Sequence, residues 1–76
     1  MSAFERISIV ENMKELAMLV DDLRWLQRAK DFIKALEQMI YSLSDKDFFA
    51  YLKRWQKEYL REVQDQIFSK IALQSS

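Results

Sequence analysis

Across its 76 residues the chain contains neither glycine nor proline. Glycine supplies the left-handed positions that close helices and tight hairpins, and proline supplies a hard stop. Without them only Ser44 and the pair Asp21-Asp22 offer punctuation, so nearly every residue is committed to helix. The expected fold class is all-α, in one small domain spanning residues 1–76.

Cysteine and histidine are absent as well. Their absence removes disulfides, the usual zinc sites, thiol nucleophiles and Ser-His-Asp chemistry. Missing glycine removes the P-loop and the dinucleotide fingerprint. Twelve basic residues balance twelve acidic ones, so the net positive charge of a dedicated nucleic-acid binder is missing. Zero net charge also weakens self-repulsion, which favours association. No apolar run approaches the roughly 18 residues a membrane span needs. The first residues, Met1 to Arg6, lack the basic and apolar regions of a signal peptide, and the expected location is the cytoplasm.

Apolar spacing divides the chain. Phe48, Leu52, Trp55, Tyr59 and Val63 form one stripe, with Phe49, Leu60, Ile67 and Ile71 beside it, which predicts a helix over about 45–73. Ser44 is its expected N-cap, with Asp47 in the capping-box position. Upstream, Leu26, Ala29, Ile33, Leu36, Ile40 and Leu43 step by three and four, widened by Trp25, Phe32 and Met39. They predict a second helix over about 22–42, antiparallel to the last because the connection is short. Ile9, Met13, Leu16, Val20 and Leu23 predict a third over about 3–20. The two upstream registers disagree beside Asp21-Asp22, where either aspartate could cap a new helix. A break there gives a helical hairpin with an N-terminal helix completing a three-helix bundle; no break gives a single helix through both segments.

A domain of this size has a marginal core, and such domains gain stability by oligomerising or docking. Phe4, Ile7, Met18 and Leu19 lie off the main stripe of the first helix, and Phe68 falls opposite the stripe of the last. Tyr41 and Tyr51 also lie off the core stripes. Phe4, Ile7, Met18, Tyr41, Tyr51 and Phe68 are therefore the candidate partner-binding residues, and a homodimer is expected.

No catalytic, metal or cofactor residue is expected. The carboxylate pairs Asp21/Asp22, Asp45/Asp47 and Glu58/Glu62 read as caps or helix-surface charge, and no calcium-loop spacing occurs. Lys53, Arg54, Lys57 and Arg61 form a basic arc on the last helix that could follow a phosphate backbone. The same residues read as the charged face every amphipathic helix carries, with Arg54–Glu58 and Arg61–Asp65 as i,i+4 pairs. The aromatics among them read as core rather than as base-stacking platforms.

Asp22 through Ile40, with Arg28, Ile33, Leu36-Glu37 and Ile40, followed by Leu43-Ser44-Asp45 and ending at Lys70-Ile71, resembles the Hha/YmoA family of small enterobacterial expression modulators. The likeness spans residues 22–71 with one gap between Ile40 and Leu43. It implies an all-helical regulator without catalysis, docking on the oligomerisation domain of the histone-like nucleoid-structuring protein through acidic residues. Glu37 keeps an acid at a matching position, whereas Lys34 and Gln56 stand where that family has aspartates. The family's cysteine position falls on Lys30, its C-terminal tryptophan segment is missing, and residues 1–21 are additional.

The expected function is thus a non-enzymatic interaction module, binding itself or a larger protein, in transcription or nucleoid regulation. Direct nucleic-acid binding and a helical co-chaperone role in a secretion or assembly system are the alternatives. The nucleic-acid alternative requires affinity that falls steeply with salt, because each neutralised phosphate releases counterion; absence of binding by fluorescence anisotropy at about 50 mM salt removes it.

Overall fold

The structure, a computed structural model, describes residues 2–75, apart from the side chain of Ser75. Helix α1 spans Ala3–Ala17 and α2 spans Leu23–Met39; α3 (Asp45–Trp55), a π-helical turn (Gln56–Leu60) and α4 (Arg61–Ser75) follow without interruption as the third helix of the bundle. No strand occurs among the described residues, and no helix is long and apolar enough to cross a membrane. The break beside Asp21-Asp22 is present, so the three-helix alternative is the one that forms.

Each of the three helices starts on a side-chain cap. Ser2 Oγ accepts from Glu5 N–H at 3.1 Å, and Asp22 Oδ1 accepts from Arg24 and Trp25 N–H at 3.0 and 3.1 Å. Ser44 Oγ accepts from Asp47 N–H at 3.2 Å. These oxygens satisfy amides that have no partner within a first turn.

The ends of α1 and α2 lack the usual glycine and close differently. Leu19 and Val20 N–H reach back three residues to Leu16 and Ala17 carbonyls, and Ile40 and Ser42 do so to Glu37 and Met39. This tightening satisfies the last carbonyls without a left-handed residue, and none of the described residues is at positive φ. It also ends the helices early: α1 stops at Ala17 and α2 at Met39, short of the expected 20 and 42.

Apolar spacing alone does not predict the π-helical turn at Gln56–Leu60. An α-helix advances about 100° per residue, so each four-residue step overshoots a full turn by about 40°. Trp55, Tyr59, Val63 and Ile67 are three such steps in succession, and a regular helix would carry them off the core. The wider turn absorbs the drift. Trp55 and Val63 are both buried, with Tyr59 and Ile67 half-buried.

Val10, Met13 and Ala17 of α1 meet Ala29, Phe32, Ile33, Leu36 and Ile40 from the α2 segment and Phe48 and Trp55 of α3 in one core. The second and third helices are antiparallel: Trp25 meets Tyr59, while Phe32, further along α2, meets Tyr51. The buried stripe of α1 follows the expected one only in part: Met13 and, just beyond the helix, Val20 are buried as expected. The rest of it runs through Arg6, Val10 and Ala17, leaving Ile9 and Leu16 half-buried and Leu23, just after the turn, 78% exposed.

Arg6 is the one charged side chain among the described buried residues. Its Nη1 donates to the carbonyls of Ile40 and Leu43 at 2.6 and 2.7 Å, and its Nη2 to Asp45 Oδ1 at 2.8 Å. The guanidinium also lies 5.0 Å from the centre of the Phe48 ring. One side chain of α1 thereby fastens the connection between α2 and α3, taking carbonyls that lack helical partners.

Arg6→Met should cost about 3 kcal/mol in urea unfolding, because one buried and one part-buried carbonyl lose their donor. The Arg6 guanidinium holds the Asp45 carboxyl below its ordinary 3.8. A depressed folded value contributes stability above that pH, and the contribution is lost as pH falls through the folded value. Asp45→Asn should therefore be less stable than wild type at pH 7, and the gap should narrow in paired urea titrations as pH falls below the ordinary 3.8 and through the folded value.

Candidate interaction surface

Helix α1 lies along α2, and three hollows run end to end down the seam between them. The first, about 270 Å³, is lined by Lys14, Ala17, Met18, Leu26, Lys30, Ile33 and Glu37. The second, about 220 Å³, shares Glu37 and adds Ile7, Val10, Glu11, Ile40 and Tyr41. The third, about 210 Å³, shares Ile40 and Tyr41 and ends at Ala3, Arg6 and Leu43. Leu26, Lys30, Ile33, Glu37 and Tyr41 step by three and four, so they line one edge of a single furrow, apolar beside Ala17 and polar where it reaches Arg6.

One ion pair crosses the furrow. Lys14 Nζ lies 2.8 Å from Glu37 Oε1 and 3.2 Å from Glu11 Oε1. The bonds to Glu37 and then Glu11 hold the Lys14 ammonium above its usual pKa. The acid singled out by the family resemblance is therefore already paired, and its partner comes from the additional N-terminal helix.

The exposed apolar side chains gather at the two ends of a molecule 47 Å long and about 20 Å across. Arg6 brings the start of α1 to the connection between α2 and α3, which places Phe4, Ile7, Tyr41 and Phe49 at one end. Lys70 of α4 donates to the Leu19 carbonyl at 3.0 Å and lies 3.5 Å from Asp21 Oδ2. These contacts place Met18, Leu19, Leu23, Phe68, Ile71 and Leu73 at the other.

The candidate partner residues thus fall into two groups rather than one patch. Phe4, Ile7 and Tyr41 sit at the Arg6 end with Glu37 on the adjoining furrow, whereas Met18 and Phe68 sit at the Lys70 end. Tyr51 belongs to neither. It is half-buried, with its ring 5.9 Å from Phe32 in an edge-on contact. Phe32 also meets Trp55 and Tyr59, which stack on each other at 5.1 Å. The aromatics after Ser44 serve as core there, and the wide hydrophobic face of α2 draws Tyr51 into the same cluster.

Lys53, Arg54, Lys57 and Arg61 are all exposed, but they straddle the π-helical turn. Arg54 is engaged, with Nε 3.3 Å from Glu58 Oε1 and its guanidinium 5.5 Å from the Phe32 ring centre. The anticipated Arg61–Asp65 pair does not form. Among the described residues, no group of three potential ligands is placed to hold a metal ion.

Sequence reasoning missed Arg6 entirely. The available signal was its place four residues before Val10 on the stepping Arg6, Val10, Met13, Ala17. Compared with known proteins, the chain finds no match: no family model, no curated protein and no solved structure aligns with it.

Because Lys14 and Glu37 are both about two-fifths exposed, their pair should contribute little to folding. Lys14→Met should change stability by less than about 1 kcal/mol in urea titration.

Proposed function

We propose that this chain is a non-enzymatic protein–protein interaction module of the cytoplasm that acts by docking its apolar surfaces on other chains. The observation that carries the proposal is the segregation of its large exposed apolar side chains to two ends joined by an apolar furrow. Scattered single apolar residues need no explanation on a small protein, but contiguous patches of this kind mark association sites. The chemistry of the chain supports the same reading, since it offers neither histidine nor cysteine for catalysis.

The likeness of residues 22–71 to the Hha/YmoA family supports a regulatory setting, in which the module docks on a nucleoid or transcription-regulatory protein. Glu37, Ile7 and Tyr41 are the residues we assign to that contact, because they line adjoining parts of the furrow. A partner that takes Glu37 must displace Lys14 or bind over the pair.

Affinity capture from native extract, combined with sedimentation equilibrium at micromolar concentration, tests the proposal. Wild type should retain a partner in stoichiometric amount or self-associate, and Tyr41→Asp or Glu37→Lys should release a partner bound at the furrow without lowering the melting temperature. A stable monomer that retains nothing overturns it.

A further inference from the structure

We infer that the first hollow of the furrow is a binding site for a small amphipathic anion, a free fatty carboxylate of medium length whose tail lies in the hollow and whose head meets Lys30. The inference goes beyond the docking function proposed above, which sets a protein contact at Ile7, Tyr41 and Glu37, further along the furrow.

Size and lining define the tail. The hollow measures about 270 Å³. An apolar cavity of about 150 Å³ already takes a benzene ring, so one aromatic side chain of a partner would leave much of this space empty. At about 30 Å³ per unit of water size, close to the room a methylene takes, the hollow holds a chain of about nine carbons. Ala17 and Ile33, both buried, form its floor, with Leu26 of α2 beside them. Met18, at the end of α1, is 74% exposed, and its unbranched thioether is free to close over a tail.

The head follows from the charges. The wall carries two lysines and one glutamate. Glu37 is held by Lys14 at 2.8 Å, and Glu11, which also reaches Lys14, faces the adjoining hollow. Lys30 has neither a hydrogen bond nor an ion pair among the described residues. Asp31, its neighbour in sequence, turns to Gln27 instead, whose Nε2 donates to Asp31 Oδ1 at 3.0 Å. A lysine stem lies along apolar surface while its ammonium stays in water, which sets the one unpaired cation of the wall at the mouth of the hollow. The apolar floor excludes a strongly hydrated occupant, and the cation at the mouth disfavours a positively charged one. An apolar chain with a single negative charge at one end satisfies both, in the manner of small-ligand sites where one polar group orients an apolar body.

Isothermal titration calorimetry of the full chain with sodium octanoate should saturate with a dissociation constant below about 1 mM. Butanoate, half the length, should bind at least about tenfold more weakly, because the buried methylenes carry the affinity. Octylammonium, with the same tail and the opposite charge, should bind at least about fivefold more weakly at low salt. Lys30 is exposed, so Lys30→Glu should keep the helical circular-dichroism signal and reverse the order of octanoate and octylammonium. Heteronuclear NMR should place the octanoate-induced shifts at Ala17, Leu26 and Ile33 and leave Tyr41 and Phe49 unmoved. Lack of saturation, equal affinity for butanoate and octanoate, an order of the two charged amphiphiles that Lys30→Glu does not change, or shifts centred on Tyr41 overturns the inference. Octanoate is titrated into the chain alone, so failure here leaves the docking function standing, and capture of a protein at Tyr41 does not rescue the ligand site.

Discussion

The bundle depends on one guanidinium. A chain without glycine closes its helices with three-residue backbone bonds, and beyond α2 the carbonyls of Ile40 and Leu43 take a side-chain donor. Arg6 supplies the donors they need, joins them to the first residue of α3 through Asp45, and rests against Phe48 at the centre of the core. Burying a guanidinium is tolerable only because carbonyls, a carboxylate and an aromatic face surround it. The result is that α1, although apolar on several sides, has a single seating. Its register on α2 follows from Arg6, and the furrow and both apolar ends follow from that register.

Much of the architecture was legible because it rests on short-range rules. Ser44 and Asp22 cap helices through oxygens that any local reading anticipates. Phe48, Trp55, Ala29, Ile33 and Leu36 are buried where their spacing puts them. The failures have a common physical source, which is that helical-wheel reasoning assumes an ideal, isolated helix. It passes over Arg6 because the carbonyls that accept from it lie more than thirty residues away. It placed Tyr51 outside the core because the receptive face of Phe32 belongs to another helix. It read Leu23 as the continuation of a stripe that ends at the preceding turn.

The candidate surfaces were legible as residues but not as places. Phe4, Ile7, Met18, Tyr41 and Phe68 are indeed exposed, yet nothing in their spacing says that they divide between opposite ends. Arg6 and Lys70 make that division, each by a long-range bond to a main-chain carbonyl at a helix connection.

The π-helical turn has a consequence for how such a surface can change over generations. It is equivalent to one residue inserted into an otherwise regular helix, placed between the buried Trp55 and Val63. Loss of a single codon within Gln56–Leu60 would restore regular winding and leave the directions beyond it nearly unchanged, because the lost residue and the lost widening cancel. Val63 would stay in the core and Phe68, Ile71 and Leu73 would keep their facing, drawn in by about 1.5 Å. The helix carries a frame marker at which one deletion shortens the rod without turning it, an option that stepwise side-chain replacement does not offer.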